Sequence, residues 1–181
     1  MKLSISIIFA IIFCFQSCKN SDTNEPREIL KDIAKSDDIN IGNLNFQFDL
    51  PRDWSRIDTV LQSLYICLLK NDDDIYKPRI NITTESMHGK NHSNYVLGTK
   101  QYLTNNMTGI QLLEDGKIDI SGKNCIWYSY NKTQNGMKRE MIYYSIANSE
   151  ISYNITVGLN PGGIRKYKQT IDKIVKSFRL N

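Results

Sequence analysis

Residues 3–15 read Leu-Ser-Ile-Ser-Ile-Ile-Phe-Ala-Ile-Ile-Phe-Cys-Phe, a nearly unbroken apolar run behind the positive charge of Lys2. Such a run is too short to cross a bilayer, which takes ~20 apolar residues, but it has the length of a signal-peptide core. It predicts a cleaved export segment over residues 1–17. The pattern then turns polar and interrupted over residues 19–43, as suits a tether. Within it Pro26 to Ser36 predicts a short helix, because proline fits a first helical turn and Ile29, Leu30, Ile33 and Ala34 share one side.

From Leu44 the spacing becomes β-like. Leu44, Phe46, Phe48 and Leu50 alternate with polar neighbours until Pro51 ends the run, and Trp54 follows on the turn. Residues 62–70 are apolar on both faces and predict a central strand, while Asn71-Asp72-Asp73-Asp74 reads as a turn and Arg79 to Thr84 as the returning strand. Ser93 suits the N-cap of a helix to about Met107, with Tyr95, Thr99, Tyr102, Leu103 and Met107 near one side and Gly109 closing it.

Four strands follow, over Ile110 to Ile120, Asn124 to Asn131, Lys138 to Ala147 and Ile151 to Gly158. Their connections, Ser121-Gly122, Gln134-Asn135-Gly136 and Asn148-Ser149-Glu150, are short and turn-rich, which predicts an antiparallel meander. In the last strand Ile151, Tyr153, Ile155 and Val157 share one face and Ser152, Asn154 and Thr156 the other, so one sheet face is expected to be buried. After Asn160-Pro161-Gly162-Gly163 the positions Ile164, Tyr167, Ile171, Ile174, Val175 and Phe178 recur at the spacing of one helical stripe, which predicts a final helix laid on the sheet.

Where the first apolar run stops stand Phe15-Gln16-Ser17-Cys18. This resembles a bacterial lipobox, in which a small residue precedes a cysteine that is acylated, with palmitate among its chains, and becomes the new N-terminus. Lipid attachment at Cys18 is the expectation. Acyl chains anchor through about 0.8 kcal/mol for each buried methylene, and stable anchoring takes more than one. Lys19, standing where an aspartate would signal inner-membrane retention, implies by resemblance to lipoprotein sorting an outer-membrane location, facing the periplasm or the cell surface.

The segments Phe46-Gln-Phe-Asp-Leu-Pro-Arg-Asp-Trp54, the helix after Ser93, the hairpins around Gly122 and Gly136 and Ile171-Asp-Lys-Ile-Val-Lys-Ser-Phe178 together resemble the PsbP-like superfamily, with its DcrB-like bacterial lipoproteins. The resemblance implies an α+β fold, an antiparallel β-sheet flanked by helices in a PsbP-like α/β/α sandwich, over residues 44–181, behind the signal peptide (1–17) and the lipidated tether (18–43). It implies binding or accessory roles more often than catalysis, and it carries no active-site residues with it.

Composition narrows the classes. Removing Lys2 with the export segment lowers the formal charge from +4 to +3, far from the concentrated basic stripe that nucleic acid requires. His88 and His92 have a spacing that would serve a metal on a helix, but Gly89 and Asn91 favour a loop and no third ligand is evident. Exposed loop histidines are expected, with no metal and no cofactor. Cys67 and Cys125 both fall in predicted strands and are read as two buried thiols rather than a disulfide.

Asp72, Asp73 and Asp74 lack the glycine and distal glutamate of a calcium loop, and Asn160-Pro-Gly-Gly reads as turn chemistry rather than an anion site. Trp127, Tyr128, Tyr130, Tyr143 and Tyr144 crowd two strands and are read as core under flanking helices. Arg165, Lys166, Lys168, Lys173, Lys176 and Arg179 form a basic side of the final helix that would suit anionic lipid but is read by default as a solvated face. The expectation is a non-enzymatic envelope lipoprotein, held to the membrane by its N-terminal lipid, that serves as a binding or accessory module for a partner protein or small ligand. The alternatives are an immunity or chaperone-like factor for a secreted toxin and an enzyme whose residues converge only in space.

Overall fold

A computed structural model describes residues 46–57, 65–69 and 77–180. The export segment, Cys18, the tether with its helix and the Asn71–Asp74 turn lie outside the described residues. The elements run β1 (Phe46–Gln47), β2 (Trp54–Ile57), β3 (Tyr65–Leu69), β4 (Arg79–Ser86), α1 (His92–Asn106), β5 (Ile110–Ile120), β6 (Lys123–Gln134), β7 (Met137–Asn148), β8 (Ile151–Leu159), α2 (Gly163–Lys176) and β9 (Arg179–Leu180). Strands β2 to β8 form one antiparallel sheet in the order β2-β3-β4-β8-β7-β6-β5, and β1 pairs separately with β9. The expected α+β sandwich is therefore present.

The meander is closed by backbone chemistry. Asn135 and Gly136 take φ of 51° and 75°, with Gln134 and Met137 paired across them, the left-handed pair that a two-residue hairpin of matching twist needs. The three connecting turns tighten accordingly, and β6, β7 and β8 each run one to three residues longer at one or both ends than their apolar patterns suggest. Strand β5 keeps the predicted bounds, with a bulge between Leu112 and Asp115.

Both faces of the sheet are buried, which corrects the expectation of one. On the first face Ile80, Ile82, Ile142, Tyr144, Ile146, Ile155 and Val157 pack beneath α2, whose Ile171, Ile174 and Val175 form the predicted stripe. On the second, Tyr128, Tyr130, Met141 and Tyr143 lie under Tyr95, Val96 and Leu103 of α1. The aromatic crowd thus divides as alternation requires, with Trp127 and Tyr144 on the α2 side and Tyr128, Tyr130 and Tyr143 on the α1 side.

Three local expectations change. The seven-residue run from Leu44 gives only a two-residue ladder among the described residues, because its partner β9 offers only Arg179 and Leu180; Phe48 packs on Phe178 outside any ladder. Trp54 opens β2 instead of sitting on a turn, since its N–H closes the turn on the Pro51 carbonyl (3.0 Å) and the chain extends from there. Asn91, not Ser93, caps α1: its Oδ1 accepts the Asn94 N–H at 2.9 Å.

Helix α2 begins on Gly162 with no capping side chain of its own. Glu140 of β7 supplies one from across the fold, its Oε1 accepting the Gly162 N–H at 2.8 Å and its Oε2 the Ile164 N–H at 2.7 Å. A carboxylate there also faces the positive end of the helix dipole. Glu140→Ala is expected to destabilise the fold by about 1–2 kcal/mol, read as a lower urea midpoint at unchanged slope; an unshifted midpoint would show that water caps α2 equally well.

Candidate functional site

Under α1 the sheet face carries a continuous chain of polar side chains. Strand parity brings them together: Ser145 of β7 is paired with Asn154 of β8, Ser152 of β8 with Glu85 of β4, and Tyr143 stands two residues along β7 from Ser145. Helix α1 adds His92 in its first turn and Tyr95 one turn later. His92 Nε2 lies 2.9 Å from Ser145 Oγ, which lies 2.7 Å from Ser152 Oγ. Asn154 Oδ1 accepts from Ser152 (2.8 Å) and from Tyr143 (2.7 Å), while its Nδ2 donates to Tyr95 OH at 2.9 Å. Tyr95 OH in turn donates to Glu85 at 2.6 Å.

The direction of every proton follows from the Glu85 end. The Tyr95 hydroxyl donates to Glu85, so its oxygen accepts from the Asn154 amide nitrogen. The Asn154 carbonyl therefore faces Ser152 and Tyr143, and both donate to it. Ser152 has spent its one proton, so Ser145 donates to Ser152 and must accept from His92. His92 thus carries hydrogen on Nε2, and the chain is polarised from imidazole to carboxylate.

That polarity is the reverse of an activated serine, whose proton must go to an unprotonated histidine nitrogen. Ser145 and Ser152 are moreover fully buried, at 0% exposure. Burial also raises the phenols of Tyr95, Tyr128 and Tyr143 well above their ordinary range, with Glu85 adding to each shift. On the opposite face burial pushes the Cys125 thiol up to about 12, so it is a thiol and no nucleophile at neutral pH.

The sequence-predicted candidates fall in different places. His88 is an exposed turn residue with φ of 51°, as a loop histidine would be. His92 departs from that expectation: the Asn91 cap starts the helix before it, and the half-buried ring turns onto Ser145. Cys125 is a free, buried thiol, and β3, which carries Cys67, lies four strand steps from β6, roughly 19 Å at ~4.8 Å each. That is far beyond the ~7 Å between Cα atoms that a disulfide tolerates. Of the amides after Asn160, those of Gly162 and Ile164 are taken by Glu140 and that of Gly163 by the Asn160 carbonyl.

Ser145, Ser152, Asn154, Tyr95 and Glu85 were not legible as a group in the sequence, although the serine and asparagine alternation in β8 was visible. No cluster of three metal-ligating side chains occurs among the described residues. Among them, too, no helix is long and apolar enough to cross a membrane.

Burial lowers the His92 pKa below 6.5, a hydrogen bond to the Ser145 main chain opposes this, and Lys117 lowers it further. Between that depressed value and 6.5 the unfolded chain binds the proton more readily than the folded one. The stabilisation is thus present above pH 6.5 and lost as pH falls through 6.5 toward the folded value. A His92→Gln variant is expected to lose this acid-side slope while keeping a donor for Ser145; an identical pH profile of urea midpoints in the two proteins would refute the assignment.

This arrangement, a seven-stranded antiparallel sheet between two helices with a small accessory ribbon, is a PsbP-like fold. It is similar to LpqN of Mycobacterium tuberculosis, described as involved in cell envelope biogenesis, with a TM-score of 0.61 and 11% identity over 75% of this chain and 83% of that one. It is also similar to cyanobacterial PsbP (CyanoP) from Synechocystis sp. PCC 6803, with a TM-score of 0.55 and 10% identity over 93% and 99% of the two chains. PA94 from Pseudomonas aeruginosa, a putative regulator of unknown function, gives 0.50 and 9% over 74% and 95%. No protein-family model and no curated protein sequence matches the chain.

Proposed function

We propose that the protein is a non-enzymatic envelope lipoprotein, tethered to the outer membrane through Cys18, that acts as an accessory module by binding a partner protein or small ligand. The observation that carries this reading is the polarised chain beneath α1. The most enzyme-like pair in the fold, His92 and Ser145, has its protons directed away from catalysis and its hydroxyl sealed in the interior. Such a fully satisfied buried network fixes a helix on a sheet and leaves function to the surface. The likeness in fold to LpqN, itself described in terms of the cell envelope, supports the same compartment. Solvent-exposed apolar side chains offer contact area: Leu97 on α1 and Leu112 and Leu113 on the edge strand β5.

The test uses the lipidated protein as bait in a pull-down from detergent-solubilised membranes, beside fractionation of a Cys18→Ser variant. Stoichiometric recovery of one envelope protein, or of one bound small molecule by mass spectrometry, is the expected result. Release of the Cys18→Ser variant from membranes is expected with it. A variant that matures at the same site and stays with the membrane in high salt would overturn the tether, and a bait that emerges bare would overturn the binding role.

A further inference from the structure

We propose that the outward face of α2 is a docking surface for anionic phospholipid headgroups, so that the folded part lies against the same membrane that holds its tether; the choice of membrane rests on the tethered reading above. At 100° per residue, Arg165, Lys166, Lys173 and Lys176 fall within an arc of about 100° directed away from the buried stripe of Ile171, Ile174 and Val175. All four are exposed, and the residue among them on that arc is the uncharged Gln169. From Arg165 to Lys176 the stripe runs for roughly 16 Å, at 1.5 Å per residue, along a helix lying on the sheet.

The anion that could neutralise the stripe from within the helix is already engaged. Asp172, the sole acidic residue of α2, accepts from Lys168 at 2.8 Å and from Tyr144 at 2.7 Å at the edge of the packed face. Lys168 is also held over the Trp127 ring, 4.2 Å from its centre, and Arg179 beyond the helix is bound to Asp49 at 3.1 Å. Lys168 and Arg179 are thus held by carboxylates and Lys166 lies over the Tyr167 ring, 4.7 Å from its centre, while Arg165, Lys166, Lys173 and Lys176 share the exposed outward arc.

Helix stability does not account for that stripe. Lys173 and Lys176 in the last turn complement the helix dipole, but Arg165 and Lys166 sit in the first turns, where positive charge opposes it. A row of cations running the whole length of a helix, against its own dipole at one end, matches a flat negative surface. Basic residues held near such a surface each strengthen binding and are screened by salt.

The test uses the mature chain from residue 18 with Cys18→Ser, which carries no acyl group, sedimented with vesicles of phosphatidylglycerol and phosphatidylethanolamine or of neutral phosphatidylcholine. Binding to the anionic vesicles alone, abolished by molar salt, is expected. Lys173→Gln with Lys176→Gln should weaken it by roughly 25-fold, about fivefold per basic residue, whereas Lys90→Gln with Lys117→Gln, an equal loss of charge on the α1 side, should leave it within about twofold. Equal binding to neutral vesicles, no binding, or equal losses in the two double variants would each overturn the docking surface. Thermal unfolding of each variant shows separately whether α2 remains intact. Because the acyl group is absent throughout, failure here leaves the tether untouched, and failure of the Cys18→Ser fractionation leaves this result standing.

Discussion

An Asn154→Leu protein is expected to be about 3 kcal/mol less stable than the wild type, although leucine matches asparagine closely in size and is the more apolar of the two. Asn154 is 3% exposed and makes three side-chain hydrogen bonds, accepting from Ser152 and Tyr143 and donating to Tyr95. Leucine leaves two buried hydroxyl protons without an acceptor and removes one donor from Tyr95. Each abandoned buried group costs about 1–3 kcal/mol, against a gain of at most about 1.5–3 kcal/mol for an additional buried aliphatic side chain. The deficit wins because the neighbours cannot rotate toward water: Tyr143 is stacked on Tyr128 at 4.8 Å and Ser152 is fully buried.

The same reasoning sets a coupling that a simple packing defect would not produce. Tyr143→Phe alone removes one of the two donors to Asn154, so adding it to Asn154→Leu should cost little more, or even recover stability, because a stranded hydroxyl disappears with it. Urea midpoints of the four proteins give the cycle. An Asn154→Leu loss below about 1 kcal/mol, or strict additivity with Tyr143→Phe, would show that the chain beneath α1 is not the closed network described.

How this network escaped the sequence is itself instructive. Elements with one strong period were legible: the stripe of α2 and the alternation of β8 emerged with bounds close to those observed, and β5 was bounded by its flanking turns although a bulge interrupts its alternation. The polar set Ser152, Asn154 and Thr156 reads as the face opposite the buried one, because alternation in one strand reports only that two faces differ. Register decides what each face meets. Asn154 stands beside Ser145, and two residues along the same face of β7 is Tyr143, which cannot face water at 7% exposure. Whatever covers Tyr143 also covers Asn154. The cover, α1, has a mixed polar inner side in which Tyr95 and Thr99 are buried beside Val96 and Leu103, so its periodicity is weak. A helix that binds its sheet partly through hydrogen bonds writes a faint hydrophobic pattern.

A Gly109→Ala change is expected to destabilise the fold by about 3 kcal/mol or more, in a residue that the sequence marks only as a helix stop. Gly109 has φ of +73°, where a Cβ costs about 1–2 kcal/mol on conformational grounds. Strain of that kind is shared with Gly136, at φ of 75°, where an added Cβ would meet nothing within 4 Å. At Gly109 the added carbon would lie 2.3 Å from the carbonyl oxygen of Thr133 and 3.2 Å from its carbon. Both atoms are main chain in β6, so no side-chain rotation relieves the contact. The two backbones are also bonded there, the Thr133 N–H donating to the Gly109 carbonyl at 2.9 Å, and drawing them apart stretches the link that seats the start of β5 beside β6. The comparison of Gly109→Ala with Gly136→Ala therefore separates conformation from crowding: the second should lose about 1–2 kcal/mol, and the first that amount plus the cost of the displaced strand. Equal urea midpoints for the two variants would show that the α1–β5 junction yields freely, and that the close approach at Thr133 does not position β5 on the sheet.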